Sequence, residues 1–159
     1  MAKIAKRKPN QPSPGINASD KQLFKQAQRA LKFSYSPYSE FSVGVAVSNE
    51  SGSIYLGTNI ENASYPLCLC AERTALAHAY MSDPKKKIVA LAVVCKNPKH
   101  ELTEPGYPCG ACRQVINELE DKQHAPIRII VGTTRGKDLK AFESIKEILP
   151  HSFGAKLLK

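Results

Sequence analysis

An uninterrupted apolar run at residues 88–95, Ile-Val-Ala-Leu-Ala-Val-Val-Cys, is the feature that most restricts the folds open to this chain. Such a run is typical of a strand that is buried on both faces, and it is far shorter than a membrane span. A strand of this kind lies inside a sheet that helices cover. We therefore expect residues 88–95 to be a central strand of a helix-covered sheet.

The segment before this run predicts a helix and a β-hairpin. Apolar residues recur at helical spacing from Asp20, which we take as the N-cap, to about residue 33. The stretches SVGVAVS (42–48) and SIYLGTNIE (53–61) are strand-like, and the intervening Asn-Glu-Ser-Gly favours a turn. These two stretches predict an antiparallel hairpin.

Two later helices are each predicted to begin with a cysteine. The stretch CAERTALAHAYM (70–81) is rich in helix formers, and CGACRQVINELE (109–120) has apolar residues at helical spacing. IRIIVG (127–132) is a further apolar strand. This order of elements predicts an α/β domain with a mixed sheet, in which the later strands are parallel.

Composition places the chain among globular proteins, with 42% hydrophobic and 23% charged residues. No apolar run approaches a membrane span, and the first residues lack the apolar stretch of a secretory signal. We therefore expect a cytoplasmic protein without membrane association. Residues 1–18 combine Pro, Ser, Gln and basic residues, so we expect a disordered or loosely ordered basic tail before one domain at 19–159.

The net charge of +9 raises nucleic acid as a possible partner. Part of this charge lies in the tail, and the densest basic run beyond it, Lys85–Lys87, has no neighbouring aromatic residues on which bases could stack. A solvated basic surface is the more economical explanation. The charge distribution therefore argues against a nucleic-acid partner.

Cys109 and Cys112 are spaced so that both thiols lie on one face of a first helical turn, where they can bind one metal ion. The same spacing also occurs in redox dithiols and in structural zinc knuckles. The chain has five cysteines, an odd number, and they are bunched along the sequence. Bunching of this kind favours a metal site over disulfides.

Cys70 and Glu72 distinguish between these possibilities. A third thiolate completes a three-ligand set that leaves one zinc position open for water, as in catalytic sites, and the carboxylate provides a base that is not a ligand. Cys68 is the candidate for a fourth ligand, but its spacing from Cys70 is too short for two ligands on one metal. Cys95 lies within the apolar strand, as core cysteines do. We predict one Zn²⁺ held by Cys70 and the later pair.

Three thiolates carry more negative charge than Zn²⁺ carries positive charge. The positive ends of both helices would offset this excess, and Arg73 or Arg113 could donate hydrogen bonds to the sulfurs. The alternative for either arginine is an ordinary surface position.

A cysteine ligand, any residue and a glutamate, followed later by Pro-Cys-x-x-Cys, is typical of zinc-dependent deaminases. In this chemistry a zinc-bound hydroxide attacks a ring carbon that carries an amino group. Glu72 would take the proton of the water and deliver it to a ring nitrogen and then to the departing ammonia. The alternative role for Glu72 is that of an acidic residue favoured by the helix dipole.

Five motifs, SPYSEFSVGVAV, GTNIENASY, CAERTA, PCGACRQV and LPHSFG, occur in this order from about residue 20 to residue 154. With them the chain resembles the cytidine deaminase family. The resemblance implies a three-layer α/β/α sandwich with a mixed central sheet of about five strands. It also implies a homotetramer that deaminates free cytidine and 2′-deoxycytidine in pyrimidine salvage.

The resemblance assigns substrate contacts as well. Asn59 and Glu61 would hydrogen-bond the ribose 3′-hydroxyl, and the backbone of Ala71 would contact the base. Phe41 would stack near the pyrimidine, although a core position is equally compatible with its place in the first strand.

Two further assignments follow from the same resemblance. Arg73 would donate to the ligand sulfurs, and Phe153 would reach across a subunit boundary into the site of a neighbour.

Three rival functions remain open from the sequence. Deaminases of nucleotides or of bases in RNA or DNA usually have His in place of Cys70 and need phosphate contacts or a stacking groove, whereas this chain has no Trp. A nucleoside-like antibiotic is another possible substrate for the same zinc site. A structural zinc module that binds nucleic acid would require four protein ligands, so three ligands beside Glu72 favour an enzyme.

Overall fold

The computed structural model describes residues 15–158. Within this part the chain forms three α-helices and five strands, joined by short 3₁₀ turns. In chain order these are α1 (Ala18–Ala30), β1 (Ser42–Asn49), β2 (Ile54–Thr58), α2 (Ala71–Ser82), β3 (Ile88–Lys96), α3 (Gly110–Gln123), β4 (Arg128–Gly132) and β5 (Lys140–Phe142).

The five strands form one mixed sheet in the order β2-β1-β3-β4-β5. The apolar run forms β3 at its centre, as predicted. β1 pairs antiparallel with both β2 and β3, whereas β3 and β4 are parallel. The prediction missed β5, which pairs antiparallel with β4, because three residues are too few to show an alternating pattern.

Helices cover both faces of this sheet. Leu23, Phe24 and Ala27 of α1 pack on one face, and α2 and α3 pack on the other through residues such as Leu76 and Ile116. The arrangement confirms the predicted three-layer α/β/α sandwich. α2 and α3 therefore lie side by side on the same face, with their cysteine-bearing N-termini available to form one site.

The N-terminus of α1 differs from its prediction. Asn17 is the N-cap, and Asp20 is the third helical residue of a capping box in which each side chain accepts from the backbone N–H of the other. Asp20 is also buried against Arg128 of β4, with hydrogen bonds of 2.9 Å to both carboxylate oxygens. The choice of Asp20 as N-cap was therefore wrong, because an acidic residue also fits the third position of a capping box.

Most of the predicted basic tail, residues 1–14, lies outside the described residues. Ile16 is described and packs against the α1 side of the core. Among residues 15–158, no helix combines the length and the apolar character needed to cross a bilayer.

Candidate active site

The three cysteines predicted as metal ligands lie together where α2 and α3 begin. Cys70 is the N-cap residue of α2, Cys109 is the N-cap residue of α3, and Cys112 is in the first turn of α3. Their sulfur atoms all lie within 4.8 Å of one another, and those of Cys70 and Cys109 are 4.0 Å apart. Sulfurs in a tetrahedral zinc site lie about 3.8 Å apart, since each Zn–S bond is about 2.3 Å. The thiols and their spacing therefore fit Zn²⁺.

The protein surroundings alone do not favour three thiolates at this place. Burial raises the pKa of the Cys112 thiol, and the charge of Glu72 raises it further. Burial also raises the pKa of Cys70. Burial opposes ionisation of Cys109 as well, but a hydrogen bond from the backbone N–H of Cys112 helps to bring its pKa below the ordinary value. A divalent cation would offset the charge that the three sulfurs share.

Glu72 lies beside this sulfur cluster. It is the second residue of α2 and is only 4% exposed. Burial raises the pKa of its carboxyl group, which makes the protonated form easier to reach than it is for an exposed glutamate. Among the described residues, the group of close ligand atoms contains the three sulfurs and not the Glu72 carboxylate. The carboxylate is therefore close to the sulfur cluster without being part of it.

A second group of predicted residues lies on the segment that follows β2. Ile60 forms one bridge with Tyr35 and another with Leu69, the residue before Cys70. The backbones of Ile60 and Leu69 exchange two hydrogen bonds, of 3.0 and 2.9 Å. This pairing holds residues 59–61 beside the start of α2.

Asn59 is half-buried and already bonded to the protein. Its Oδ1 accepts from the hydroxyl of Ser34 at 2.7 Å and from the backbone N–H of Val43 at 2.8 Å, and its Nδ2 donates to the Phe41 carbonyl at 2.8 Å. These bonds use one of the two Nδ2 hydrogens. Asn59 therefore joins the loop after α1 to the start of β1 and keeps one donor for a ligand.

Glu61 is held by the turn that precedes β1. Its carboxylate accepts from the backbone N–H groups of Tyr38 at 2.9 Å and Ser39 at 3.2 Å, and from the Ser39 hydroxyl. The hydroxyl bond is the main reason that the pKa of Glu61 lies below its ordinary value, and the backbone bonds add to it. Glu61 therefore presents a fixed carboxylate at neutral pH.

A pocket of about 500 Å³ connects the two groups. This volume lies within the range of small-molecule sites. Its walls include the predicted Phe41 and Ala71 as well as the residues described above. The full lining consists of Ser39, Phe41, Val43, Asn59, Glu61, Cys68, Leu69, Cys70, Ala71, Glu72, Val93, Cys95, Tyr107 and Cys109.

The two candidate arginines lie outside this lining. Arg73 is exposed and lines a separate groove between α2 and α3. Arg113 donates to the carbonyls of Pro108 and Ile148, each at 2.7 Å. Within residues 15–158, no hydrogen bond joins either guanidinium to a cysteine sulfur. The role predicted for Arg73 at the sulfurs stays a prediction.

Phe153 does not contribute to the pocket of its own chain. Its side chain is 55% exposed, and its carbonyl accepts from the amides of Gln114 at 2.9 Å and Asn117 at 3.2 Å on α3. The ring is therefore presented outward from the α3 side of the molecule.

Seven of the lining residues were not predicted as site residues, and three of them, Ser39, Tyr107 and Cys95, bear on the chemistry of the pocket. Ser39 anchors Glu61, and Tyr107 forms part of the wall next to Cys109. Cys95 is buried, as expected for a core residue, but it also lines the pocket, and burial raises the pKa of its thiol to about 12. The only sequence signals were the position of Ser39 in the SPYSEF motif and that of Tyr107 just before Pro108.

Sequence comparison places these features in a known group. The model of the family described as "Cytidine and deoxycytidylate deaminase zinc-binding region" matches residues 17–125. A cytidine deaminase from Halalkalibacterium halodurans is 44% identical over 134 residues, which are 84% of this chain and 93% of that protein. A cytidine deaminase from Sporosarcina psychrophila is 46% identical over 61% of this chain and 67% of that protein.

Solved structures give the same result for the fold. The crystal structure of a cytidine deaminase from Burkholderia pseudomallei is 36% identical, with a TM-score of 0.74, and the match covers 87% of this chain and 100% of that one. A cytidine deaminase from Mycobacterium tuberculosis is 31% identical, with a TM-score of 0.66, over 87% of this chain and 99% of that one.

Proposed function

Because the chain belongs to the cytidine deaminase family, we propose that it hydrolyses free cytidine and 2′-deoxycytidine to uridine and 2′-deoxyuridine with release of ammonia. One observation carries this proposal. A single pocket joins Glu72 and two of the three clustered thiols, those of Cys70 and Cys109, to Asn59 and Glu61.

The metal end supports hydrolysis. Zn²⁺ held by Cys70, Cys109 and Cys112 would supply a Lewis acid that makes water a nucleophile at neutral pH. The buried Glu72 carboxylate would take the proton of that water, deliver it to N3 of the pyrimidine, and carry a proton to the amino group as it departs. Its raised pKa suits a group that must both accept and release a proton.

The other end of the pocket supports a nucleoside substrate. The remaining Nδ2 hydrogen of Asn59 would donate to the ribose 3′-hydroxyl, and the Glu61 carboxylate would accept from it. Phe41 lines the same pocket and would contact the face of the pyrimidine. The described residues that line this pocket include no Lys or Arg that could bind a substrate phosphate, which favours nucleosides over nucleotides.

We further propose a homotetramer in which Phe153 enters the pocket of a neighbouring subunit. Its exposed ring lies outside its own pocket, and an apolar groove of about 540 Å³ between α2 and α3 offers additional surface for contact. Exposed Tyr80 and Val115 line this groove. A role in pyrimidine salvage and a cytoplasmic location both stay predictions.

The test combines metal analysis with a substrate panel. Purified protein should contain about one zinc per chain, and it should lower the absorbance of cytidine and 2′-deoxycytidine as ammonia is released. Cytidine 5′-monophosphate and free cytosine should turn over at least about 100-fold more slowly. A folded, zinc-loaded protein that leaves both nucleosides unchanged would contradict the proposal, and binding of nucleic acid by that protein would favour a structural zinc module.

A further inference from the structure

Thr74, in the first turns of α2, makes a set of hydrogen bonds that neither the metal nor the substrate explains. Its hydroxyl accepts from the backbone N–H of Thr58 at 3.0 Å and lies 2.8 Å from the Thr58 carbonyl and 2.9 Å from the Ala71 carbonyl, to which it can donate. We propose that Thr74 is a positioning residue that fixes the cysteine-bearing turn of α2 against the end of β2. This inference rests on the proposed nucleoside deamination.

The bonds of Thr74 close an otherwise open sheet edge. β2 is the outermost strand, and it pairs only with β1 in the sheet. The backbone N–H of Asn59 points to β1, where it donates to Val43. Successive residues of a strand direct their backbone groups to opposite sides. The N–H and carbonyl of Thr58 therefore face away from β1. The Thr74 hydroxyl accepts from this N–H, and its single proton lies within reach of the Thr58 and Ala71 carbonyls.

Gly57 allows α2 to come this close to β2. A Cβ atom at Gly57 would lie 2.3 Å from the backbone nitrogen of Ala75 and 2.5 Å from the carbonyl oxygen of Ala71. These distances are far inside van der Waals contact, so only glycine permits the approach. Backbone contact at Gly57 brings the helix close to the strand, and the Thr74 hydroxyl then fixes its register along the strand.

The position of α2 along β2 sets the distance between the two ends of the proposed site. Thr58 is followed directly by Asn59, with Glu61 two residues further on, and the turn that Thr74 holds contains Cys70 and Glu72. A nucleoside held by its sugar at one end must present its amino-bearing carbon at the other. A displacement of about 1 Å between the two ends would cost up to about 100-fold in rate.

His78 provides an internal comparison one turn further along α2. Its Nδ1 is 3.1 Å from the carbonyl of Leu56, another outward-facing group of β2. His78 therefore contacts the same strand edge as Thr74 but lies further from the metal-bearing turn. If only the contact near the site matters for catalysis, the two side chains will differ in their effect on kcat.

The test uses the zinc-loaded enzyme and the variants Thr74→Val, Thr74→Ser and His78→Ala. Valine has nearly the shape of threonine but cannot bond Thr58. We expect Thr74→Val to retain zinc and to lower kcat for cytidine about 10- to 100-fold, with KM changed less than about threefold. Thr74→Ser keeps the hydroxyl, so its kcat should lie within about threefold of that of the unmodified enzyme. His78→Ala should change kcat less than about twofold.

A second substrate separates positioning from general damage to the fold. On 3′-deoxycytidine, which lacks the proposed sugar anchor, Thr74→Val should cost less than about threefold, because the register then no longer fixes the base. Equal losses on both substrates, or a kcat for Thr74→Val within threefold on cytidine, would overturn the inference. Turnover of cytidine by the unmodified enzyme would leave the proposed function standing in either case.

Two further cases have a defined consequence. If Thr74→Val does not fold, Thr74→Ala is measured on the same two substrates with the same criteria. If the unmodified zinc-loaded enzyme does not deaminate cytidine, both the proposed function and the role of Thr74 are overturned.

Discussion

The two ends of the pocket are built in opposite ways. At the metal end, Cys70 and Cys109 are N-cap residues whose side chains make no capping hydrogen bond to the helix. At the sugar end, Asn59 and Glu61 each accept two or more hydrogen bonds from the protein. The metal end is thus left open for a ligand, whereas the sugar end is assembled by the residues that would also bind substrate.

This difference separates two kinds of mutational effect. Thiols that have few protein partners can be replaced with little cost to the fold, so loss of function there reports on metal and chemistry. Side chains that also tie loops together cannot be replaced so cleanly, because the loops lose their support. Variants at the metal end should therefore lose activity with little loss of stability. Variants at the sugar end should lose both.

The largest effect is expected at the metal ligands. Cys109→Ala, at the exposed thiol, should lose zinc and bring cytidine turnover below detection, since two thiols hold zinc much less tightly than three. Cys68→Ala is the matched control for zinc content, measured by atomic absorption, and should still bind about one zinc per chain. A Cys68→Ala protein without zinc would indicate a fourth cysteine ligand and contradict the open site.

Glu72→Gln should cause the second-largest loss of activity. The amide keeps the shape of the carboxylate but cannot carry the proton, so kcat should fall about 10⁴-fold while zinc content and melting temperature stay near those of the unmodified protein. Single-turnover measurements with cytidine provide the rate. A variant that keeps a rate near that of the unmodified enzyme would rule out the proposed role of Glu72.

Asn59→Ala should reduce binding and stability together. KM for cytidine should rise at least about tenfold through loss of the Nδ2 donor. The free energy of unfolding should fall by about 2 kcal/mol, because Ser34 and the Val43 N–H lose a shared acceptor. Steady-state kinetics and denaturant titration at one protein concentration measure the two effects. An unchanged KM would remove Asn59 from the sugar site.

Glu61→Gln should have a smaller and cleaner effect. The amide oxygen still accepts from the backbone of Tyr38 and Ser39, so the turn should persist while the negative charge is lost. We expect KM for cytidine to rise about fivefold to tenfold, at the cost of one charged hydrogen bond, with kcat within about threefold. A fall in kcat at unchanged KM would assign Glu61 to the chemical step instead.

The same contrast explains how much could be predicted from the sequence. The metal site depends on cysteines at fixed offsets from helix starts, and helix starts have recognisable local patterns. The central strand was predictable because burial on both faces leaves an uninterrupted apolar run. The sugar end depends on the bridges of Ile60 with Tyr35 and Leu69, which join three distant segments. No periodicity reports such pairings, so Asn59 and Glu61 were assigned by family resemblance alone.

Two residues that follow Glu72 on α2 show the same limit. Arg73 follows Glu72 directly, yet the helical rotation of about 100° per residue turns it to the groove between α2 and α3. Thr74, two residues after Glu72, acts on the neighbouring strand instead. Local sequence placed the start of α2 well, but which neighbour each of its side chains meets depends on how α2 packs on β2.

The opposite face of the sheet gives the smallest expected effect on activity. Asp20 and Arg128 join α1 to β4, on the face remote from both ends of the pocket, and Asp20 is 3% exposed. Asp20→Asn should lower the free energy of unfolding by about 3 kcal/mol at pH 7, because it leaves a largely buried guanidinium with one anionic partner fewer. Turnover of cytidine at 25 °C should change less than twofold. Glu143→Gln, at the exposed partner of Arg128, is the control and should cost less than about 1 kcal/mol.

The pH dependence of stability tests the charge of Asp20 itself. Burial opposes ionisation of Asp20, but its bonds to Arg128 and to the Asn17 N–H hold its pKa below the ordinary value. A carboxyl group whose pKa is lower in the folded protein stabilises it above its ordinary pKa of about 3.9, and this contribution is lost as pH falls through the folded value. The unmodified protein should therefore lose more stability between pH 5 and pH 3 than Asp20→Asn, as measured by denaturant titration. Parallel pH profiles for the two proteins would show that the carboxylate contributes through its shape and hydrogen bonds rather than its charge.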